Sequence, residues 1–226
     1  MFSLATGNDA ASKCLNCAAG KIAAGAGASA CTICGAGKYA SAATGASACT
    51  NCAAGTYNSL ATGVSACVRC DASTLARATS PADGTADAVS KCSCAAGYWG
   101  AAATGSETTI TCTACLKGKY RATAGATVVG DCLDCGAGTY SAADAATMCT
   151  QCQAGKYNAL TTGNDDANDC KTCGANAASA AGSSAKTACT CNAGYHGPAM
   201  GAAAALTCAA CGAGASTLSR TSGWPS

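Results

Sequence analysis

CTICGAGKYASAATGASACTNC, residues 31–52, holds two C-x-x-C pairs, and between them a Gly37-Lys38-Tyr39 step. The stretch that follows, CAAGTYNSLATGVSACVRC at 52–70, says the same thing again with Gly55 and Tyr57. A phrase repeated at this spacing is the signature of a repeat architecture, and a missed repeat misassigns the whole fold. Reading outward, all 22 cysteines fall into eleven close pairs. Nine are C-x-x-C, beginning at Cys14, Cys31, Cys49, Cys67, Cys112, Cys132, Cys149, Cys170 and Cys208. Two are C-x-C, at Cys92/Cys94 and Cys189/Cys191.

The residues after each pair keep step. Gly stands three positions beyond the second cysteine at 20, 37, 55, 97, 118, 138, 155, 194 and 214, with Ser73 and Asn176 in that place in two repeats. Tyrosine follows as C-x-x-G-x-Y at Tyr39, Tyr57, Tyr120, Tyr140 and Tyr157, and as C-x-x-G-Y-x-G at Tyr98 and Tyr195. The C-x-C pairs mark a longer period of about 100 residues. It divides the chain into a first supermodule at 1–91, a second at 92–188 and the start of a third at 189–226. Thr6-Gly7 aligns with Thr104-Gly105, so both ends fall inside a repeat, and a natural protein that continues beyond one or both is expected.

Composition says what holds such a chain together. The hydrophobic fraction of 50% is mostly Ala and Cys, with one Phe, two Trp and three Met. Small side chains bury little area, at about 25 cal/mol per Å², so a single large core is excluded. Cysteine near one residue in ten marks a disulfide scaffold. Charged residues make up 11% and the net charge is +2, which offers no field for nucleic acid or anionic lipid. No apolar run is long enough for a membrane-spanning helix. Met1-Phe2-Ser3-Leu4 lacks the basic start and apolar centre of a signal peptide, so a signal already removed, or an internal piece of a longer chain, is expected. The expected fold is small disulfide-rich repeats of short β-hairpins and loops, almost without helix, stacked into an elongated rod in which only neighbours touch. In each hairpin the Gly-x-Tyr stretch is a strand that the following Thr-Gly, Ala-Gly or Gly-Asn turn sends back. The segment 71–91, with Pro81, reads as the longest loop.

Three chemistries compete for the cysteines. The simplest disulfide ladder joins the second cysteine of each pair to the first of the next: Cys17–Cys31, Cys34–Cys49, Cys52–Cys67, Cys70–Cys92, Cys94–Cys112, Cys115–Cys132, Cys135–Cys149, Cys152–Cys170, Cys173–Cys189 and Cys191–Cys208. Cys14 and Cys211 are then left over. A crossed 1–3, 2–4 pattern strands one whole pair of the eleven, and spacing alone leaves both patterns open. Zinc ribbons use similar spacing, but 22 cysteines do not divide by four and His196 is the lone histidine. Catalytic C-x-x-C needs a thioredoxin-like context that is absent. No metal, cofactor or catalytic residue is therefore expected, and an enzyme is not. Gly is expected where the backbone passes closely or turns left-handed, and Tyr where a ring lies on a staple with its hydroxyl in water.

The unit C-x-x-C-x-A-G-x-Y, as in CTICGAGKYASAATGASACTNC and CTNCAAGTYNSLATGVSACVRC, resembles the cysteine-rich repeats of ephrin-receptor-like and tumour-necrosis-factor-receptor-like ectodomains. CSCAAGYWG and CTCNAGYHG resemble the end of an EGF-like module. Alternation of the two resembles large surface proteins of algae, ciliates and other protists. The resemblance spans residues 14–211. It implies the second-to-next pairing of cysteines and an extracellular location. The Pro those families usually carry is replaced at Ala18, Gly35, Ala53, Gly136 and Gln153, which removes a source of turn rigidity.

Asn164-Asp165-Asp166 with Asn168 and Asp169 is the one acidic cluster; it lacks EF-hand spacing and reads as a solvated turn. His196 has no partner motif. N-x-S/T sequons are absent, while Ser and Thr crowd loops such as Thr108-Thr109, Thr161-Thr162 and Ser183-Ser184, where O-linked glycans are expected. Together these features point to an extracellular structural protein of a fibre, surface coat or appendage. Its partners are copies of itself or other fibre proteins. The alternatives are a ligand-binding receptor-type ectodomain and, further off, a thiolate metal store.

Overall fold

The computed structural model describes residues 14–41, 45–73, 75–197 and 207–212. Met1 to Leu4, Thr6-Gly7, Gly214 and the closing Trp224-Pro225-Ser226 lie outside them. Among the described residues every named strand is two residues long, and every sheet is one antiparallel pair. Lys21–Ile22 pairs with Thr32–Ile33, Lys38–Tyr39 with Thr50–Asn51, and Thr56–Tyr57 with Val68–Arg69. Ala78–Thr79 pairs with Ser93–Cys94, and Tyr98–Trp99 with Thr113–Ala114. Lys119–Tyr120 pairs with Leu133–Asp134, Thr139–Tyr140 with Thr150–Gln151, and Lys156–Tyr157 with Lys171–Thr172. Ala177–Ala178 pairs with Thr190–Cys191, and Tyr195–His196 with Ala209–Ala210. The described residues therefore form a series of disulfide-rich hairpin repeats with no α-helix among them; short 3-10 turns such as Val89–Lys91 and Ala167–Asp169 lead into some of the cysteines.

The pattern has a simple logic. The first strand of each tyrosine hairpin follows the repeat glycine, and the second strand is the interior of the next C-x-x-C pair. Gly37, at φ +74°, turns the chain into Lys38–Tyr39, and its carbonyl accepts the N–H of Cys52 at 2.9 Å. The same bond joins Cys70 to Gly55, Cys152 to Gly138 and Cys173 to Gly155. Two residues per strand bury almost nothing, so a hairpin this short is marginal in water and needs its staple.

Two expectations about the loops are corrected. The Thr-Gly step does not send the strand straight back; it lies midway along a long connection, and the disulfide closes the hairpin instead. Nor do only neighbouring repeats touch. Gly63, in the loop closed by Cys52–Cys67, lies so close to Gly20 of the Cys17–Cys31 loop that an added Cβ would come 2.5 Å from the Gly20 carbonyl oxygen. Gly84 meets Gly37, and Gly182 meets Gly138, in the same backbone-on-backbone way. Each pair skips one repeat. Successive repeats are tied as well: Gly37 N–H donates to Asn58 O at 2.8 Å, and Gly138 N–H to Asn158 O at 2.8 Å.

Segment 71–91 is more ordered than a loop. It contains the strand Ala78–Thr79 and the 3-10 turn Val89–Lys91. Ser73 does not play the part of the repeat glycine: its N–H and hydroxyl bind Asp71 Oδ1, and the strand starts later, at Ala78, whose N–H donates to Asp71 Oδ2 at 2.9 Å. In the corresponding repeat Asn176 does take the glycine position, at φ +57°, a conformation that Asn tolerates better than most residues.

The chain forms two compact units. One is Met1–Ala114 with Thr123–Cys132, the other Cys115–Ala122 with Leu133–Ser226. In the first, Cys52, Tyr57, Cys70, Ala78, Ala86, Val89, Cys92, Cys94, Ile110 and Cys112 form one buried cluster. In the second, Cys173, Cys189 and Cys208 form another, with Tyr157 and Tyr195 packed on it. The largest fully buried side chains are Asn158 and Asn164, followed by cysteines, while Ile33, Leu60, Val68, Leu133 and Leu160 remain exposed. No helix among the described residues is long and apolar enough to cross a membrane.

Candidate functional site: the staples and the buried row beside the tyrosines

The disulfides run from the second cysteine of one pair to the first of the next. They are Cys17–Cys31, Cys34–Cys49, Cys52–Cys67, Cys70–Cys92, Cys94–Cys112, Cys135–Cys149, Cys152–Cys170, Cys173–Cys189 and Cys191–Cys208, with Cα separations of 5.5 to 5.7 Å. That is the span an unforced disulfide takes. Cys115 and Cys132 are also disulfide-bonded. Cys14 and Cys211 are free thiols. Cys211 occupies the same place as its bonded counterparts, its N–H donating to Gly194 O at 2.9 Å, and its sulfur lies 4.0 Å from His196 Nδ1.

Tyr57 is buried, whereas Tyr39, Tyr98, Tyr120, Tyr140, Tyr157 and Tyr195 are half-buried. Tyr57 and Tyr98 pack with the sulfurs of the first cluster, Tyr157 and Tyr195 with those of the second. The expectation of a wet hydroxyl fails at Tyr57, whose hydroxyl donates to Thr108 O at 2.7 Å. That bond reaches across an intervening repeat, because burial of the ring leaves the hydroxyl no water to bind.

The residues that sequence reading passed over stand directly after the first strand. Ala23, Ala40, Asn58, Ser80, Ser141, Asn158 and Ser179 are all buried. Their side chains are small or polar; Ser141 Oγ donates within its own repeat, to Ala143 O at 3.0 Å, and the other four polar ones act as struts. Asn58 Nδ2 donates to Lys38 O at 2.8 Å, and Asn158 Nδ2 to Thr139 O at 3.2 Å. Ser80 Oγ donates to Thr56 O and Ser179 Oγ to Lys156 O, each at 2.7 Å. In every case the acceptor is the first-strand carbonyl of the preceding repeat. Each asparagine also accepts from the amide two residues on, Leu60 or Leu160, at 2.9 Å. The signal was in plain view as the repeated Tyr-Asn-x-Leu at 57–60 and 157–160.

The acidic cluster is likewise not a wholly solvated turn. Asn164 is fully buried, donating to the Cys135, Gly136 and Leu160 carbonyls and accepting from Asn158 Nδ2. Asp166 and Asp169 hold the 3-10 turn: Asp166 Oδ1 accepts from Asn168 N–H at 2.8 Å, and Asp169 Oδ2 from Asp166 N–H at 3.0 Å. These carboxylates are committed to capping. Among the described residues no three His, Cys, Asp or Glu side chains gather as a metal site.

Among the described residues, shallow depressions of about 140, 180 and 230 Å³ lie around Asp71, Arg77, Gly55 and Thr109. All are smaller than the roughly 300–1,000 Å³ of ordinary ligand pockets. No protein-family model matches the chain, and no curated protein is significantly similar to it. The site is defined by its own geometry as a disulfide-bonded, cysteine-rich hairpin repeat.

Proposed function

We propose that this chain is a structural repeat segment of an extracellular fibre, surface coat or cell-surface appendage, and that it assembles with copies of itself. The observation that carries the reading is where the polar groups go. In repeat after repeat the glycine amide, the buried Asn or Ser and the inner strand of the cysteine pair are all spent on the adjoining repeat. A chain that commits its chemistry to its own continuation is built to bear load and keep spacing. The disulfides fit an oxidising compartment, and the likeness to receptor-type and EGF-like repeats of protist surface proteins supports placing it outside the cell. Exposed Ile33, Val68 and Leu133 on the inner strands, on a surface with few charges, favour lateral packing.

Electron microscopy and sedimentation of the secreted, oxidised chain test this. Slender particles that associate as concentration rises are expected. A compact particle that stays monomeric at every concentration, or that binds one partner saturably while remaining so, argues for the receptor reading instead.

A further inference from the structure

We infer that Thr50, Thr113 and Thr150 are acceptor sites for O-linked sugars, each sugar lying on the aromatic ring opposite. The inference rests on the extracellular reading, because it requires passage through a secretory route that carries glycosyltransferases. Threonine opens the second strand of five hairpins, at Thr32, Thr50, Thr113, Thr150 and Thr190, and all five are exposed. In three of them the residue in register is aromatic: Thr50 faces Tyr39, Thr113 faces Trp99, and Thr150 faces Tyr140. Directly paired residues in an antiparallel ladder share one face, with Cβ atoms about 5 Å apart. The three aromatic residues are half-buried, so each keeps part of its surface open to solvent.

The hydroxyls themselves are uncommitted. By contrast, two first-strand threonines spend their hydroxyls on the turn before them: Thr56 Oγ1 donates to Ala53 O at 2.7 Å and Thr139 Oγ1 to Gly136 O at 2.8 Å. Thr50, Thr113 and Thr150 have no side-chain hydrogen bond among the described residues. A pyranose linked there presents its C–H face to the electron-rich face of the ring. It would also hydrate a chain in which charged residues are only 11% and N-linked sequons are absent.

The donor is a nucleoside-diphosphate sugar. The threonine Oγ1 forms a bond to the sugar C1 as the C1–O(phosphate) bond breaks. The nucleoside diphosphate departs with the bonding pair, and the hydroxyl proton passes to a base of the transferase.

The test is glycopeptide mapping by electron-transfer fragmentation of protein recovered from the cells that secrete it. Sugar is expected on Thr50, Thr113 and Thr150, and β-elimination should remove it, leaving a dehydrated residue at those three positions. Bare threonines there, with sugar absent or confined to loop residues, overturn the proposal. The stacking is read by NMR. Ring protons of the sugar on Thr113 should be shifted upfield, and Trp99→Ala should abolish the shift in protein whose disulfides are intact by mass; unshifted sugar protons in the wild type overturn it. Sugar-free protein that still assembles defeats this inference alone, and glycosylated protein that never assembles defeats the structural reading alone.

Discussion

Asn158 is fully buried, yet it follows a tyrosine in a polar, glycine-rich stretch that reads as loop. Local sequence cannot show that the carbonyl it satisfies, that of Thr139, belongs to the preceding repeat. A buried polar group survives only when paired, and the pairing is tertiary. The glycines were easier to read, because their period is visible, but which of them are crowded was not. Gly138 and Gly163 both have positive φ, +82° and +70°. A Cβ at Gly138 would overlap the Gly182 carbonyl, whereas at Gly163 it meets nothing within 4 Å. Gly163→Ala is expected to cost about 1–2 kcal/mol for the left-handed backbone alone, and Gly138→Ala to cost about 1–3 kcal/mol more from overpacking. Denaturant midpoints of the two oxidised variants measure the difference; equal losses would refute the close approach.

Glu107 offers a titration at the same scale. The Thr104 hydroxyl donates to its Oε1 at 2.6 Å, and the amides of Thr104 and Gly105 donate to Oε2 at 3.0 and 3.1 Å. These bonds, the Thr104 hydroxyl foremost, hold the carboxyl below its ordinary value. A depressed folded-state value means that the turn is favoured above the normal carboxylate range and loses that support as the pH falls through the folded value. The amide shifts of Thr104 and Gly105 should move in that acid window and stay flat in Glu107→Gln. Shifts that ignore the pH in the wild type would contradict the contact.

The element is the stapled hairpin. Its first strand was legible, because Gly-x-Tyr recurs and aromatic residues favour strands. Its second strand was not: two residues between cysteines are too few to display any alternation. The connection between strands was misread for a related reason. Thr-Gly and Ala-Gly are turn signals wherever they stand, and here the glycine at 63 and at 182 lies against an alternate repeat. The Ser73 position failed because residues inserted after Cys70 shift the frame, which counting from the cysteine hides. Replacing both Cys152 and Cys170 with Ser opens a loop of sequence separation 18, at a cost of about 3 kcal/mol in the chain-entropy model. Asn158 ties that loop to Thr139, and the Gly182 amide binds Cys152 O at 2.8 Å. Hydrogen-exchange protection should therefore fall at residues 138–141 and 179–183 as well as within 152–170. Loss confined to 152–170 would show that the repeats are independent beads.

For the whole molecule, composition alone excluded a large apolar core, and the buried residues bear out that poverty: cysteine, alanine, asparagine and serine fill the interior. What composition could not reveal is the second tie. Within each compact unit, backbone and side-chain bonds join successive repeats, and glycine contacts join alternate ones at Gly20/Gly63, Gly37/Gly84 and Gly138/Gly182. The account nevertheless stands on the sulfurs. Alkylation of the unfolded, unreduced protein followed by intact mass measures them directly. Two thiols, Cys14 and Cys211, should be labelled before reduction, and the other twenty cysteines only after it. Labelling of all 22 before reduction would contradict the account, since hairpins with two-residue strands are marginal in water without a staple.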